Sequence, residues 1–362
     1  MKITIILAVI LTIIIYGLLC YYIGRNGWIL IKNTTLTKYK KSYITLIVFL
    51  SLSLFFEIML PYRPLQWISG YWMAILSYSI LILPLANLLY FLLKKKYLVP
   101  ISIGVIGVYF FIFLYGTYNA WTPTVRNYTV EINKRSDLKD LKIFMASDIH
   151  LGQLVGKNHL ERLVDLVNTE KPDIVLLPGD LINDNIEPYL KQNMGEVLGK
   201  VDAPLGVYAV LGNHDYYGGD KDDIISEMNK LGIHVLMDDF IKIQDFYLVG
   251  RKEHTDNSRI KLNDYLNKLD KNRPIIMMDH QPKDLKEAEE FGVDILLSGH
   301  THRGQLWPAN LLTHLIYEND YGYLKKGELH SLVSSGFGLW GPPLRIGTQA
   351  EAMVIEVKFV GK

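Results

Sequence analysis

Four stretches in the first 120 residues leave the backbone almost no choice of fold. Residues 3–24, 67–93 and 97–118 contain no charged side chain, and residues 43–60 contain one, Glu57. Inside a bilayer a segment must satisfy its own peptide hydrogen bonds, so an apolar run of about 20 residues crosses as an α-helix. None of the four shows a polar face at a 3.6-residue period, which argues against helices lining the core of a water-soluble domain. Residues 1–120 therefore read as a region of four membrane spans. Pro84 falls inside the third, where a membrane helix tolerates a kink. After the first span, Tyr21, Tyr22 and Arg25 stand where a signal-peptide cleavage site would need small residues, so this span reads as retained.

Charge divides the chain at the same place. Ten of its 38 Lys and Arg, but one of its 37 acids, lie in the first 120 residues. The formal net charge of +1 thus conceals a basic front and an acidic remainder. An acidic remainder suits divalent cations and argues against nucleic acid as a partner. Within the front, Arg25, Lys32, Lys38, Lys40 and Lys41 follow the first span, and Lys94, Lys95 and Lys96 follow the third. The opposite side holds only Lys2, Arg63 and Arg126. Cations mark cytoplasmic loops. The reading is a multi-pass protein of the cell membrane with everything beyond the fourth span outside the cytoplasm. Trp28, Trp67, Trp72 and Trp121 are expected near span ends, at the headgroups. Cys20 is the single cysteine, so no intrachain disulfide can form.

From about residue 126 to 362 the pattern becomes α/β. Five short apolar runs each end on residues that bind metals or move protons. Residues 142–147 precede Asp148-Ile149-His150, 174–178 precede Gly179-Asp180, and 207–211 precede Gly212-Asn213-His214-Asp215. Residues 275–279 precede His280, and 293–298 precede Gly299-His300-Thr301-His302. Continuous aliphatic runs are buried strands, and ligands gather beyond the carboxyl ends of such strands. Asp, His and Asn delivered to one sheet edge by five strands describe a polynuclear metal site.

The expected architecture is α/β (α+β layered), a β-sandwich flanked by helices. Residues 128–133 and 141–147 are expected to pair through a charged turn. Helices are expected from Asn158 to Lys171-Pro172, over 222–231 up to Gly232, and over 260–269 and 282–291. A hairpin should turn at Gln244-Asp245. Only a few residues separate the fourth span from the first strand, which would hold the site close to the bilayer.

The five motifs, in this order, resemble those of the calcineurin-like metallophosphoesterases, over roughly residue 126 to the end. The connecting sequence is similar to the membrane-tethered bacterial branch that includes UDP-2,3-diacylglucosamine hydrolase-like proteins. There the last motif continues Gly-Gly-Gln, whereas this chain has Arg303-Gly304-Gln305. The resemblance implies two divalent cations: Asp148, His150 and His302 on the first, Asn213, His280 and His300 on the second, and Asp180 bridging both. Carboxylate, imidazole and amide donors suit Mn²⁺ foremost, and also iron or zinc. His214 would be the general acid, with Asp215, or the Asp148–His150 pair, holding its ring. The implied activity is hydrolysis of a phosphate ester or diphosphate on a phosphorylated small molecule or lipid-linked envelope substrate. The alternatives are a broad phosphodiesterase acting on soluble nucleotides or glycerophosphodiesters, and a non-catalytic phospho-ligand sensor.

Other residues carry weaker expectations. His159 is read as a surface residue, His234 as core, and His314 and His330 as lacking ligand spacing; His254 is a candidate to line the site. Glu57 is read as interfacial. Residues 306–316 could be core or an apolar lip beside the metals. Arg345 is a phosphate contact or half of a salt bridge.

Overall fold

The computed structural model describes residues 2–32, 34–60 and 62–361, the side chains of Lys2 and Ile3 excepted. They form two compact units, one reaching to Gly116 and the other running from Thr117 to Trp340 and on from Leu344.

The first unit is built from α1 (Lys2–Ile31), α2 (Lys40–Met59), α3 (Arg63–Leu92) and the start of α4 (Leu98–Trp121). All four helices are long and apolar enough to cross a membrane. They outrun the charge-free segments because a helix continues past Arg25 or Lys41 when the long side chain carries its charge outward. Most apolar side chains face out; Ile5, Leu18, Ile58, Leu85 and Phe110 are all more than half exposed. Contacts between helices are few and partly polar. Cys20, Trp72 and Leu76 form a small cluster, Tyr16 donates to the Ser51 carbonyl, and Ser79 and Tyr109 share a 2.7 Å hydrogen bond. Trp72 corrects one expectation. It sits buried well inside α3 and its indole N–H donates to Tyr16 Oη, because packing against α1 outbids a place at the headgroups.

The second unit is a sandwich of two six-stranded sheets. In sheet order, the first holds β1 (Thr124–Ile132), β12 (Glu351–Phe359), β2 (Asp140–Met145), β3 (Ile174–Pro178), β4 (Val207–Val210) and β5 (Ile233–Val235). The second holds β10 (Gly322–Lys326), β11 (Leu329–Val333), β9 (Ile295–Ser298), β8 (Ile275–Met278), β7 (Phe246–Gly250) and β6 (Asp239–Ile243). Strands β2, β3, β4 and β5 run parallel, as do β7, β8 and β9.

Alternation explains the apolar runs. Ile143, Met145, Leu176 and Val210 point between the sheets, toward Ile276, Met278 and Leu297. Their neighbours Phe144, Ala146, Val175 and Leu177 point the other way, onto Leu160, Leu163 and Val167 of α5 (Lys157–Glu170). With both faces covered, every position must be apolar, each buried aliphatic side chain contributing about 2 kcal/mol.

Several local expectations change. β1 and β2 are not partners: the C-terminal strand β12 lies between them, parallel to β1 and antiparallel to β2. Helix α5 starts after Gly156 with no side-chain cap from Asn158, and ends at Lys171, left-handed at φ 48° ahead of Pro172. Residues 260–269 and 282–291 supply only the short helices Asn263–Leu266 and Leu285–Glu290. The hairpin between β6 and β7 is as expected, turning at Gln244 with φ 48°.

Candidate metal centre

Beyond the ends of β2, β3, β4, β8 and β9, the seven expected donors come together. Asp148, His150, Asp180, Asn213, His280 and His302 are buried, and His300 is partly so. They fall into two groups. In one, His150 Nε2 lies 3.1 Å from His302 Nε2, which is 3.4 Å from Asp148 Oδ1. In the other, Asn213 Oδ1 lies 3.2 Å from His280 Nε2 and 2.8 Å from His300 Nδ1. Asp180 Oδ2 belongs to both, 3.6 Å from His150 Nε2 and 3.2 Å from His280 Nε2.

The hydrogen bonds around the edge decide what these atoms can do. Asp180 Oδ1 accepts the His214 backbone N–H, leaving Oδ2 for the centre. Asp148 Oδ1 accepts the His300 N–H, while its Oδ2 is buried with no hydrogen-bond partner. His280 Nδ1 faces the Pro178 carbonyl at 2.9 Å, so one proton sits there and Nε2 is the nitrogen turned inward, free to offer a lone pair once its own proton is displaced. Lone pairs aimed at lone pairs repel unless a cation lies among them. The donor set of imidazole, carboxylate and amide oxygen, without thiolate, fits divalent transition metals.

Titration points the same way. Burial pushes Asp148 up to about 6 and His150 and His300 down to about 3. Burial also opposes the charge on Asp180, but His280, His150 and His214 outweigh it and hold this carboxyl below its usual range. His280 is pushed down by burial and more strongly up by Asp180 and Asp148, to about 10. A proton on His280 thus stands where a metal charge would otherwise compensate the buried carboxylates.

The backbone bends sharply to aim these groups. Asp148, His150, Asp180, His300 and His302 all adopt left-handed φ values of 47–69°. Each costs about 1–2 kcal/mol in a non-glycine residue, strain of the kind concentrated at functional sites. The glycines before Asn213 and His300 serve close approach. A Cβ on Gly212 would strike Asp180 Oδ1, and one on Gly299 would strike Asp148 Oδ2 and Ser147 Oγ.

His214 stands beside the centre, its ring 4.8 Å from that of His150. Its Nδ1 lies 2.7 Å from Asp184 Oδ1. Burial lowers its basicity, but Asp184 and then Asp180 overcome this and raise it. Asp215 does not touch that ring. Its oxygens accept the backbone N–H groups of Leu181, Ile182 and Gly212, and burial raises its carboxyl to about 7. Asp184 was not singled out from sequence; the signal was there in a second carboxylate four residues after Asp180.

The remaining expectations sort by contact. Arg345 is fully buried and donates to the carbonyls of Ser335, Gly336 and Gly338, so it braces a loop and is neither a phosphate contact nor a carboxylate partner. His159 is buried rather than exposed, its Nε2 2.9 Å from the Phe337 carbonyl, because α5 turns it inward. His234 is exposed on a strand edge and stacks on Tyr208. His254 and His314 are exposed, and His330 bonds to Tyr323. Glu57 accepts from Ser69 of α3. Residues 307–316 are not core.

Comparison with known proteins agrees with this chemistry. The model of the calcineurin-like phosphoesterase family matches residues 141–304. An uncharacterised metallophosphoesterase of Campylobacter jejuni is 31% identical, over 96% of this chain and 97% of that protein. One from Aquifex aeolicus is 32% identical over 66% of this chain and 92% of its own length. A zebrafish (Danio rerio) transmembrane protein with a metallophosphoesterase domain is 31% identical over 68% of this chain and 60% of that protein. Matched across nearly the whole of a relative, and with its donors gathered at the ends of parallel strands, this chain belongs to the calcineurin-like phosphoesterases, metal-dependent enzymes with a dinuclear centre.

Proposed function

We propose that this enzyme is anchored by four membrane spans and hydrolyses a phosphate ester or diphosphate of a lipid-linked or envelope molecule. The observation that carries the reading is Asp180 Oδ2, which lies within 3.6 Å of a donor in each of the two groups. Asp148, His150 and His302 would hold one divalent cation and Asn213, His280 and His300 the other, with Asp180 between, manganese before iron or zinc. Cations held there would supply a water ionised near neutral pH and would offset charge on the phosphoryl oxygens.

The chain's own residues supply the proton. The Nδ1–H of His214 donates to Asp184, which turns the ring and favours its charged form. Nε2 then carries the proton that goes to the leaving oxygen, general-acid work usually contributing about 100- to 10,000-fold. Asp184 is a positioning residue; Asp215 keeps the turn after β4 in register with the loop after β3.

The concentration of cations in the loops after α1 and α3 supports a catalytic unit outside the cytoplasm. Kinship with the UDP-2,3-diacylglucosamine hydrolase-like branch is the narrower reading of the substrate. The departure at Arg303 changes what lies beside the last motif: its guanidinium stacks 4.3 Å over Tyr321. The test is turnover of the full chain, loaded with Mn²⁺, against monoester, diester and diphosphate-lipid substrates. Hydrolysis of a lipid-linked substrate that His214→Ala lowers about 100-fold is expected; metal-loaded protein inert toward every one would refute the reading.

A further inference from the structure

The segment between the last metal-binding motif and β10 presents a surface that phosphoester chemistry does not require. Trp307, Leu311, Leu312, Leu315 and Ile316 are 51–81% exposed, and the helix Asn310–Ile316 buries none of its residues. Elsewhere among the described residues of this unit, large exposed apolar side chains such as Leu190, Ile241 and Val360 are dispersed along the chain. Five within ten residues form a patch of the kind that marks an interaction site. Both flanks of the patch adjoin the metal centre: His302 comes shortly before it, and the Tyr317 ring after it lies 6.1 Å from the His300 ring.

Three observations choose the occupant. Residues 304–317 contain no acidic side chain, and the two acids that follow are paired, Glu318 with Lys326 and Asp320 with Thr313 and His314, so little unpaired negative charge opposes an anionic surface. Only Thr122 and Pro123 separate α4 from β1, so wherever α4 crosses a bilayer, that bilayer is always at hand. The patch is small for a protein partner. At about 100 Å² per side chain it offers roughly 500 Å², against about 800 Å² per partner in a stable interface. A short helix with exposed leucines and a tryptophan is instead suited to lie in the headgroup region.

We propose that residues 307–316 dock on the surface of the bilayer crossed by the chain's own helices, so that the metal centre opens toward phosphoesters carried by lipids in that bilayer. This rests on reading the four apolar helices as membrane anchors.

The test uses the full chain with Cys20→Ala, a fluorophore on one introduced cysteine, and nanodiscs of phosphatidylcholine and phosphatidylglycerol with nitroxide-labelled lipid. Sites are Ile103→Cys on α4, Leu312→Cys on the patch and Lys230→Cys on the charged surface. Retained hydrolysis of a soluble p-nitrophenyl phosphoester shows that each labelled protein is folded. Quenching at Leu312 should reach at least three times that at Lys230, with Ile103 quenched strongly as well. Strong quenching at Ile103 without quenching at Leu312 would overturn the docking alone. No quenching at Ile103 would overturn the anchor reading and the docking with it. Protection of Leu312 that grows with protein concentration, without quenching, would assign the patch to a second copy and overturn the proposal. Independently, Leu312→Ser with Leu315→Ser should keep turnover of the soluble ester within twofold and lose at least tenfold on a lipid-tailed ester in the disc. Equal losses on both would contradict the docking.

Discussion

In the N-terminal unit, Leu85 and Phe110 point outward while Glu57 and Tyr16 find partners among the helices. In the catalytic unit, Ile143 and Phe144 are fully buried, and the carboxylates and most of the imidazoles of the candidate metal centre are buried with them. The first arrangement needs a solvent of hydrocarbon, where apolar side chains gain little by leaving lipid and helices meet through small and polar contacts. The second needs water outside and positive charge inside, since buried carboxylates are stable only when compensated. One chain therefore follows two rules of burial.

Substitutions separate the two regimes, beginning with the largest effect. Asp180→Ala removes the oxygen shared by both donor groups. Bound metal should fall to one ion or none, and turnover should fall about 1,000-fold or more; unchanged metal content by elemental analysis would contradict the bridging role. His214→Ala should retain metal yet lose about 100-fold on a substrate with a poor leaving group, and far less on a nitrophenyl ester whose oxygen needs no proton. A uniform loss across leaving groups would withdraw the general-acid assignment.

Core substitutions address burial itself. Ile143→Ala should destabilise the catalytic unit by about 3 kcal/mol in a denaturant or thermal melt, through lost burial and the cavity left behind. Ile103→Ala, on the exposed face of α4, should change stability by less than about 0.5 kcal/mol in a bilayer. Similar values at the two sites would erase the contrast.

A smaller effect comes from pH. Burial, foremost, holds His159 down to about 4. A folded-state pKa below the unfolded 6.5 means the unfolded chain binds the proton first, so stability is intact above pH 6.5 and drains away as pH falls toward 4. Between pH 7 and pH 5 the loss should be about 2 kcal/mol. His159→Asn should flatten that slope, and an unchanged slope would remove His159 as its source. Smallest is Asp184→Asn, expected to reduce turnover about tenfold. Without the carboxylate His214 loses its proton at lower pH, so the alkaline limb of the rate profile should move down. A reduced rate with an unmoved limb would leave Asp184 with a merely structural part.

Much of this was legible in the sequence because the signals were local and continuous. Charge-free segments announce helices long and apolar enough to cross a membrane, and an aliphatic run ended by Gly-Asp or Gly-His announces a strand with a candidate ligand at its end. What escaped depends on chain neighbours far apart in sequence. Nothing near residues 124–145 says that β12 will slot between β1 and β2, and nothing beside Arg345 says that it will turn inward to the carbonyls of residues 335–338 and to His302. Adjacency in sequence points His214 to Asp215 or to the Asp148–His150 pair; the turn after β4 instead aims the ring at Asp184. Polarity alone points His159 to solvent, whereas a neutral ring is accommodated inside when Phe337 accepts its Nε2–H.

The most direct measurement is the metal content of the purified, active full chain by elemental analysis, with the donors located by anomalous scattering. Two divalent cations per chain are predicted, one beside His150 and His302, the other beside His280 and His300, with Asp180 between. A single cation in a fully active protein, or two whose ligands exclude Asp180, would contradict the account.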